Sequence, residues 1–147
     1  MKLNKSIAII CALSATTVYA INVSYYQNPA LNLVSGGNNL FYGIVNNDGT
    51  GTSGSGAVYS WNASSNTYAA VTANIPDPIG APLVAKDGSI YQLSYQGGVN
   101  NQGALYHIVN GVATIVYAFT SASDGTHPNT IVMVPDGRIF GTTYDGG

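Results

Sequence analysis

The sequence contains no glutamate, and its 147 residues carry only four Lys or Arg and six Asp. Charged residues make up 7% of the chain, against about 25% in a typical globular domain. Solubility therefore rests on Asn, Ser, Thr, Gly and Gln. Such a surface suits an exported protein, or one packed among like neighbours, rather than a cytosolic monomer kept apart by charge. Cysteine is as scarce: Cys11 is the single thiol. Helical periodicity of useful length is missing as well.

The first twenty residues read as a secretory signal peptide. Lys2 and Lys5 form a positive start, Ile7 to Leu13 is apolar, and Val18-Tyr19-Ala20 places small residues before a cut after Ala20. The apolar stretch is short for a membrane span. Cys11 follows Ile10, where a lipoprotein signal needs a small residue. The competing reading is an uncleaved N-terminal anchor. Cleavage leaves Lys86 and Arg138 against six Asp, a net charge of −4. Two cations cannot neutralise a phosphate backbone, so nucleic acid is excluded as a partner. Cys11 departs with the signal, and with it any disulfide, Cys–zinc site or thiol nucleophile. The expected address is secreted or cell-surface, the periplasm included, with no membrane span in the mature chain.

What the chain does have is a repeat. Tyr42, Tyr91 and Phe140 recur at a spacing of 49 residues. Asp87-Gly88 matches Asp136-Gly137 in that register, with Asn38-Asn39 in the first copy, and Gly97-Gly98 matches Gly146-Gly147. Gly56-Ala57-Val58-Tyr59 matches Gly103-Ala104-Leu105-Tyr106 at an offset of 47. Periods of this length mark solenoids, propellers or arrays.

Residues 81–129 are expected to fold as four strands. Ala81 to Ala85 is followed by the turn Lys86-Asp87-Gly88 and a strand Ser89 to Ser94. A glycine-rich loop leads to Gly103–Val109, and Asn110-Gly111 is a strong hairpin signal before Val112–Phe119. A loop over Thr120–Asn129 then precedes the next cycle. Val112 to Phe119 is apolar on both faces, as a sheet enclosed by neighbours requires. The fold class expected is all-β: tandem four-stranded antiparallel blades, β-propeller-like, with about 2.5 repeats. The domains are a signal peptide, 1–20, and a β-repeat domain, 21–147, with repeats near 30–80 and 81–129 and a truncated one at 130–147. A closed propeller takes roughly four to eight blades. The repeats are therefore expected to continue in a longer array; completion by homo-oligomerisation and an open array are the alternatives.

Tyr117-Ala118-Phe119, Asp124-Gly125, His127-Pro128, Asp136-Gly137, Phe140-Gly141-Thr142-Thr143 and Gly146-Gly147 resemble the GloVer-type tandem repeat of bacterial extracellular proteins with varied surface anchors. The first unit departs with Asn38-Asn39 for Asp-Gly, and the second with Gln92-Leu93-Ser94 for Gly-Thr-Thr. The resemblance implies an exported, propeller-like repeat array and no particular activity. Val58-Tyr59-Ser60-Trp61 with Asn66-Thr67-Tyr68 is similar to kelch repeats, which supports blades and adds no function.

Reactive motifs are weak. Gly49-Thr50-Gly51-Thr52-Ser53-Gly54 fits the letters of a dinucleotide fingerprint, but a Tyr-rich strand follows it where a helix is needed. Gly51 to Gly56 likewise leads into no helix, as a serine nucleophile elbow would. Asp87, Asp136 and Asp124 belong to turns; Asp48, Asp77 and Asp145 are loop residues, and no acid–base pair stands out. Asp48 with Asn46 and Asn47 could offer oxygen ligands to calcium, but lacks any known loop spacing and reads as a solvated loop. His107 reads as a strand residue and His127 as a loop spacer; neither has zinc spacing. Tyr42, Tyr59, Tyr91, Tyr106 and Tyr117 are expected in the core. Tyr95 and Tyr144 recur before glycine-rich loops, where an aromatic holds a corner or stacks on sugar or peptide.

No catalytic, cofactor-binding or metal-binding residues are assigned, and no cofactor is expected. The expected function is a non-enzymatic, exported repeat module for surface structure, adhesion or ligand binding, with a glycan or a cell-surface protein as partner. The alternative is a propeller-type hydrolase or lyase whose catalytic residues lie in further blades.

Overall fold

Where the chain reverses is decided by turn chemistry. In the second unit, Gly88 N donates to Ala85 O (3.0 Å) and Ala85 N to Ser89 O (2.9 Å), with Gly88 at φ +84°. This is a three-residue type I turn closed by a left-handed glycine. The third unit repeats it, Gly137 N donating to Val134 O and Val134 N to Arg138 O, both at 2.9 Å. Pro135 there occupies the position whose φ proline pre-sets. The first unit reverses on Asn38 (φ 49°) and Asn39 (φ 60°), and Asn110-Gly111 on φ 50° and 81°. Both are two-residue turns with two left-handed positions, so an Asn pair replaces Asp-Gly by changing the turn type.

The computed structural model describes residues 8–12, 18–22, 32–46, 55–120 and 123–147. The strands β1 (Ala8–Ala12) and β2 (Val18–Asn22) pair antiparallel as their own sheet. The expected cut after Ala20 falls inside β2, so cleavage would leave the remaining sheets whole. The strands β3 (Val34–Gly37), β4 (Leu40–Val45), β5 (Ser55–Asn62) and β6 (Thr67–Pro76) form one antiparallel sheet in that order. A second sheet follows from β7 (Pro78–Val84), β8 (Ile90–Ser94), β9 (Ala104–Val109) and β10 (Val112–Ala118). The strands β11 (Thr126–Met133) and β12 (Ile139–Asp145) pair as a hairpin. The described residues thus form an all-β fold of two four-stranded meanders, the β11–β12 hairpin and the separate β1–β2 pair; they make no closed ring.

The 49-residue spacing is a spatial relation. Residues one period apart touch: Lys86 Nζ donates to Pro135 O (3.5 Å), and the Tyr95 and Tyr144 rings lie 5.8 Å apart. A Cβ on Gly80 would come within 2.9 Å of Asn129 O. Registers match as well. Tyr42 pairs with Ser60 and Ile44 with Val58 in the first sheet; Tyr91 pairs with His107 and Leu93 with Leu105 in the second. Each sheet therefore has a forward face (Tyr42, Ile44, Val58; then Tyr91, Leu93, Leu105) and a backward face (Phe41, Ala57, Tyr59; then Ile90, Ala104, Tyr106). The forward face of the first sheet packs on the backward face of the second. Ile44, Val58 and Ile75 form one buried cluster with Ile90, Ala104, Tyr106 and Ile108. Each large apolar side chain so buried contributes roughly 1.5–3 kcal/mol.

Two differences from the sequence expectation have separate physical causes. The first strands begin earlier, at Pro78 and Thr126, so Thr126–Asn129 is strand and not loop. Proline is tolerated there because both strands are bulged, between Ile79 and Leu83 and between Pro128 and Thr130. Each proline meets the glycine that opens the preceding third strand. A Cβ on Gly56 would strike Pro78, and one on Gly103 would strike Pro128. The second difference is β10. Val112, Ile115, Val116 and Tyr117 are exposed, although both faces of this strand read as enclosed. It is the outer strand of its sheet, and the hairpin that follows packs on β7 and β8. Of the tyrosines expected in the core, Tyr59 and Tyr106 are buried, Tyr42 and Tyr91 half-buried, and Tyr117 exposed.

The turn and contact roles of glycine separate by mutation. Gly137→Ala, with φ +91° and nothing within 4 Å of the new Cβ, is expected to cost about 1–2 kcal/mol. Gly103→Ala must also displace Pro128 and Ser94 O, and is expected to cost a further 1–3 kcal/mol or so. Urea unfolding of both variants checks the order.

Candidate functional site

One end of the stacked sheets gathers the loops between second and third strands and the starts of the first strands. Tyr95 N donates to Asp77 O (2.8 Å), and His127 N to Gln102 O (2.8 Å). Gly97 N donates to Asn101 Oδ1 (2.7 Å), which folds the loop onto a single 3-10 turn at Val99–Asn101. Asp77 (φ 43°) and His127 (φ 53°) each precede a first-strand proline in a left-handed conformation. Asp and His are among the side chains that tolerate it.

This end carries an aromatic cluster shared by two units. Tyr95 stacks on His127, ring centroids 4.5 Å apart, and Tyr144 meets Tyr95 edge-on at 5.8 Å. Asp145 Oδ2 lies 3.4 Å from His127 Nδ1. Tyr144 is 60% exposed. Tyr95 therefore holds a corner between units, whereas Tyr144 keeps ring surface open to solvent. An open aromatic face beside an exposed carboxylate can stack on a sugar ring and accept from its hydroxyls. The sequence reading treated His127 as a loop spacer; the structure puts it in β11, between Tyr95 and Asp145. The recurrence of Asp77-Pro78 as His127-Pro128 is the signal that could have placed it.

The carboxylates are tied to local structure. Asp87 Oδ1 accepts from Ser89 N (3.0 Å) and Ser89 Oγ (2.7 Å), and these bonds hold its carboxyl below the ordinary value. Asp136 accepts from Arg138 N (3.1 Å), Nε (2.9 Å) and Nη2 (2.8 Å), with the same effect. Asp124 Oδ2 accepts from Tyr117 Oη (2.9 Å) and Thr120 N (3.3 Å), which ties β10 to the following loop and raises the Tyr117 phenol. Burial raises the carboxyl of Asp77. Among the described residues, no group of three or more His, Cys, Asp or Glu side chains gathers as a metal site. Nor is any helix there long and apolar enough to cross a membrane.

His107 is a strand residue, its ring stacked on Tyr91 at 4.4 Å. Gln92, where the second unit departs from Gly-Thr-Thr, is fully buried. Its Nε2 donates to Ile79 O (2.7 Å) and Leu93 O (2.9 Å), satisfying a carbonyl at the β7 bulge. Asp48, Asn47 and Gly49 to Gly54, read as a loop against calcium or dinucleotide binding, lie outside the described residues. No protein-family model, curated protein or solved structure matches the chain.

The depressed carboxyls make a pH prediction. Their folded-state values lie below the ordinary 3.8. The stability they add is therefore present above the unfolded-state value and lost as pH falls through the folded one. Asp87→Asn/Asp136→Asn is expected to flatten the loss of stability below about pH 4. Urea midpoints from pH 2 to 7, roughly the range in which carboxylates titrate, compared with the parent chain, check it.

Proposed function

We propose that this chain is an exported, non-enzymatic repeat module whose units are blades of a propeller-like array, used for surface structure, adhesion or ligand binding. The signal-like first twenty residues, the near-absence of charge and the GloVer-like motifs support export and a repeat array. Distinct forward and backward faces support head-to-tail addition of units, the type of contact that closes rings or extends filaments. The turn and loop duties of Asp87, Asp124 and Asp136 speak against acid–base catalysis by these carboxylates.

The observation that carries the binding part is Tyr144. It recurs with Tyr95 at the loop end and, unlike Tyr95, is not stacked on a neighbouring unit's first strand. A glycan, or a sugar-bearing cell-surface protein, fits an exposed phenol ring flanked by Asp145. On a glycan array, Tyr144→Ala is expected to lose binding at least about tenfold while the chain stays folded, since the residue is 60% exposed and loss of its edge-on contact with Tyr95 costs only about 0.5–1.5 kcal/mol. Binding of no glycan by the parent chain would leave the structural role alone. Export has its own check: N-terminal sequencing of secreted material is expected to begin at Ile21, and a start at Met1 would contradict the signal.

A further inference from the structure

The first two sheets define what the third unit still accepts. In both, the second strand pairs on one edge with the first strand and on the other with the third. In the hairpin, β12 pairs with β11 on one side only, and its other edge carries no strand among the described residues. Beneath that edge lies a cavity of about 580 Å³, lined by Leu93, Leu105, Tyr117 and Phe119 of the second unit and by Ile139 and Gly141 of β12. Leu93 and Leu105 belong to the forward face of the second sheet. The equivalent face of the first sheet, at Ile44 and Val58, is covered by the backward residues Ala104, Tyr106 and Ile108 of a third strand as well as by Ile90. In the hairpin only Ile139, the counterpart of Ile90, is present. The cavity is continuous with the contact that β11 makes on β7 and β8, so an occupant extends an interface already formed.

We propose that the free edge of β12 and the cavity beneath it form a strand-acceptor site for an antiparallel β-hairpin carrying the repeat's own Gly-Ala-x-Tyr pattern. The internal registers define the seating. Tyr42 faces Ser60 and Tyr91 faces His107, so Phe140 faces the residue three after the incoming Ala. That Ala and Tyr drop onto Leu93 and Leu105, as Ala104 and Tyr106 drop onto the first sheet. The incoming backbone takes the unpaired N–H and C=O groups of β12, in the manner of strand addition. With β11 packed on β7 and β8, the strands β9 and β10 extend past the β12 edge, and a single tethered hairpin covers that overhang without bringing in a second copy's own. The proposal rests on the repeat register and is independent of export and of any glycan.

The test appends a second copy of residues 99–119 directly after Gly147, so that the hairpin is tethered at high effective concentration. A control extension carries the same residues scrambled. Hydrogen exchange is read at Ile139–Thr143, together with binding of an apolar dye. The repeat extension is expected to slow exchange of the outward β12 amides at least about tenfold, lower dye binding and raise the melting temperature; the scrambled one does none of these. Equal exchange in both extended chains would overturn the proposal. So would β12 protection in the unextended chain that grows with concentration, which would assign the edge to a second copy.

Discussion

Each four-stranded sheet among the described residues carries apolar side chains on two faces, and a single such sheet has no way to bury both. The packing of one unit's forward face on the next unit's backward face is the constraint that everything else obeys. It explains the mixed cluster of Ile44, Val58 and Ile75 with Ile90, Ala104, Tyr106 and Ile108. It also explains why the spacing is held so closely: a shift of one residue along a strand would turn these side chains to the wrong face. Stability in such an arrangement is a sum of unit and neighbour terms. That suits a chain with a single cysteine and few charges for ion pairs.

The close approach of units is arranged by small residues at repeating places. Gly56 receives Pro78, and Gly103 receives Pro128. Position 43 and its counterparts 92 and 141 show how each unit adapts. Gly43 makes room for the Tyr59 ring and Gly141 for Thr130 O, while Gln92 instead reaches across to Ile79 O. Burial of Tyr59, with Tyr68 nearby, pushes its phenol up to about 12, so it packs as a neutral ring. Sequence drift at this position is thus repacking around a conserved strand pairing.

Much of the fold was legible because its signals are local. The Asp-Gly turns, Asn110-Gly111 and the aromatic spacing each fix a reversal or a register within a few residues. Less of the candidate site was legible, because it is made between units. Tyr95 and Tyr144 were visible as a recurrence, but their division into a stacked corner and an open ring depends on His127 arriving from β11 to stack on Tyr95 and to meet Asp145, the residue after Tyr144. The early starts of β7 and β11 were hidden by their prolines, which read as loop until the bulges and the opposing glycines are seen. The exposure of β10 follows from which unit stands beside it, and no single strand encodes that.

The most direct test of face-to-face stacking is a double-mutant cycle between Val58→Ala, on the forward face of the first sheet, and Ile90→Ala, on the backward face of the second. The two share one buried cluster, so a coupling of about 0.5–3 kcal/mol is expected in urea unfolding. Additivity within about 0.3 kcal/mol would mean that the sheets do not pack as described.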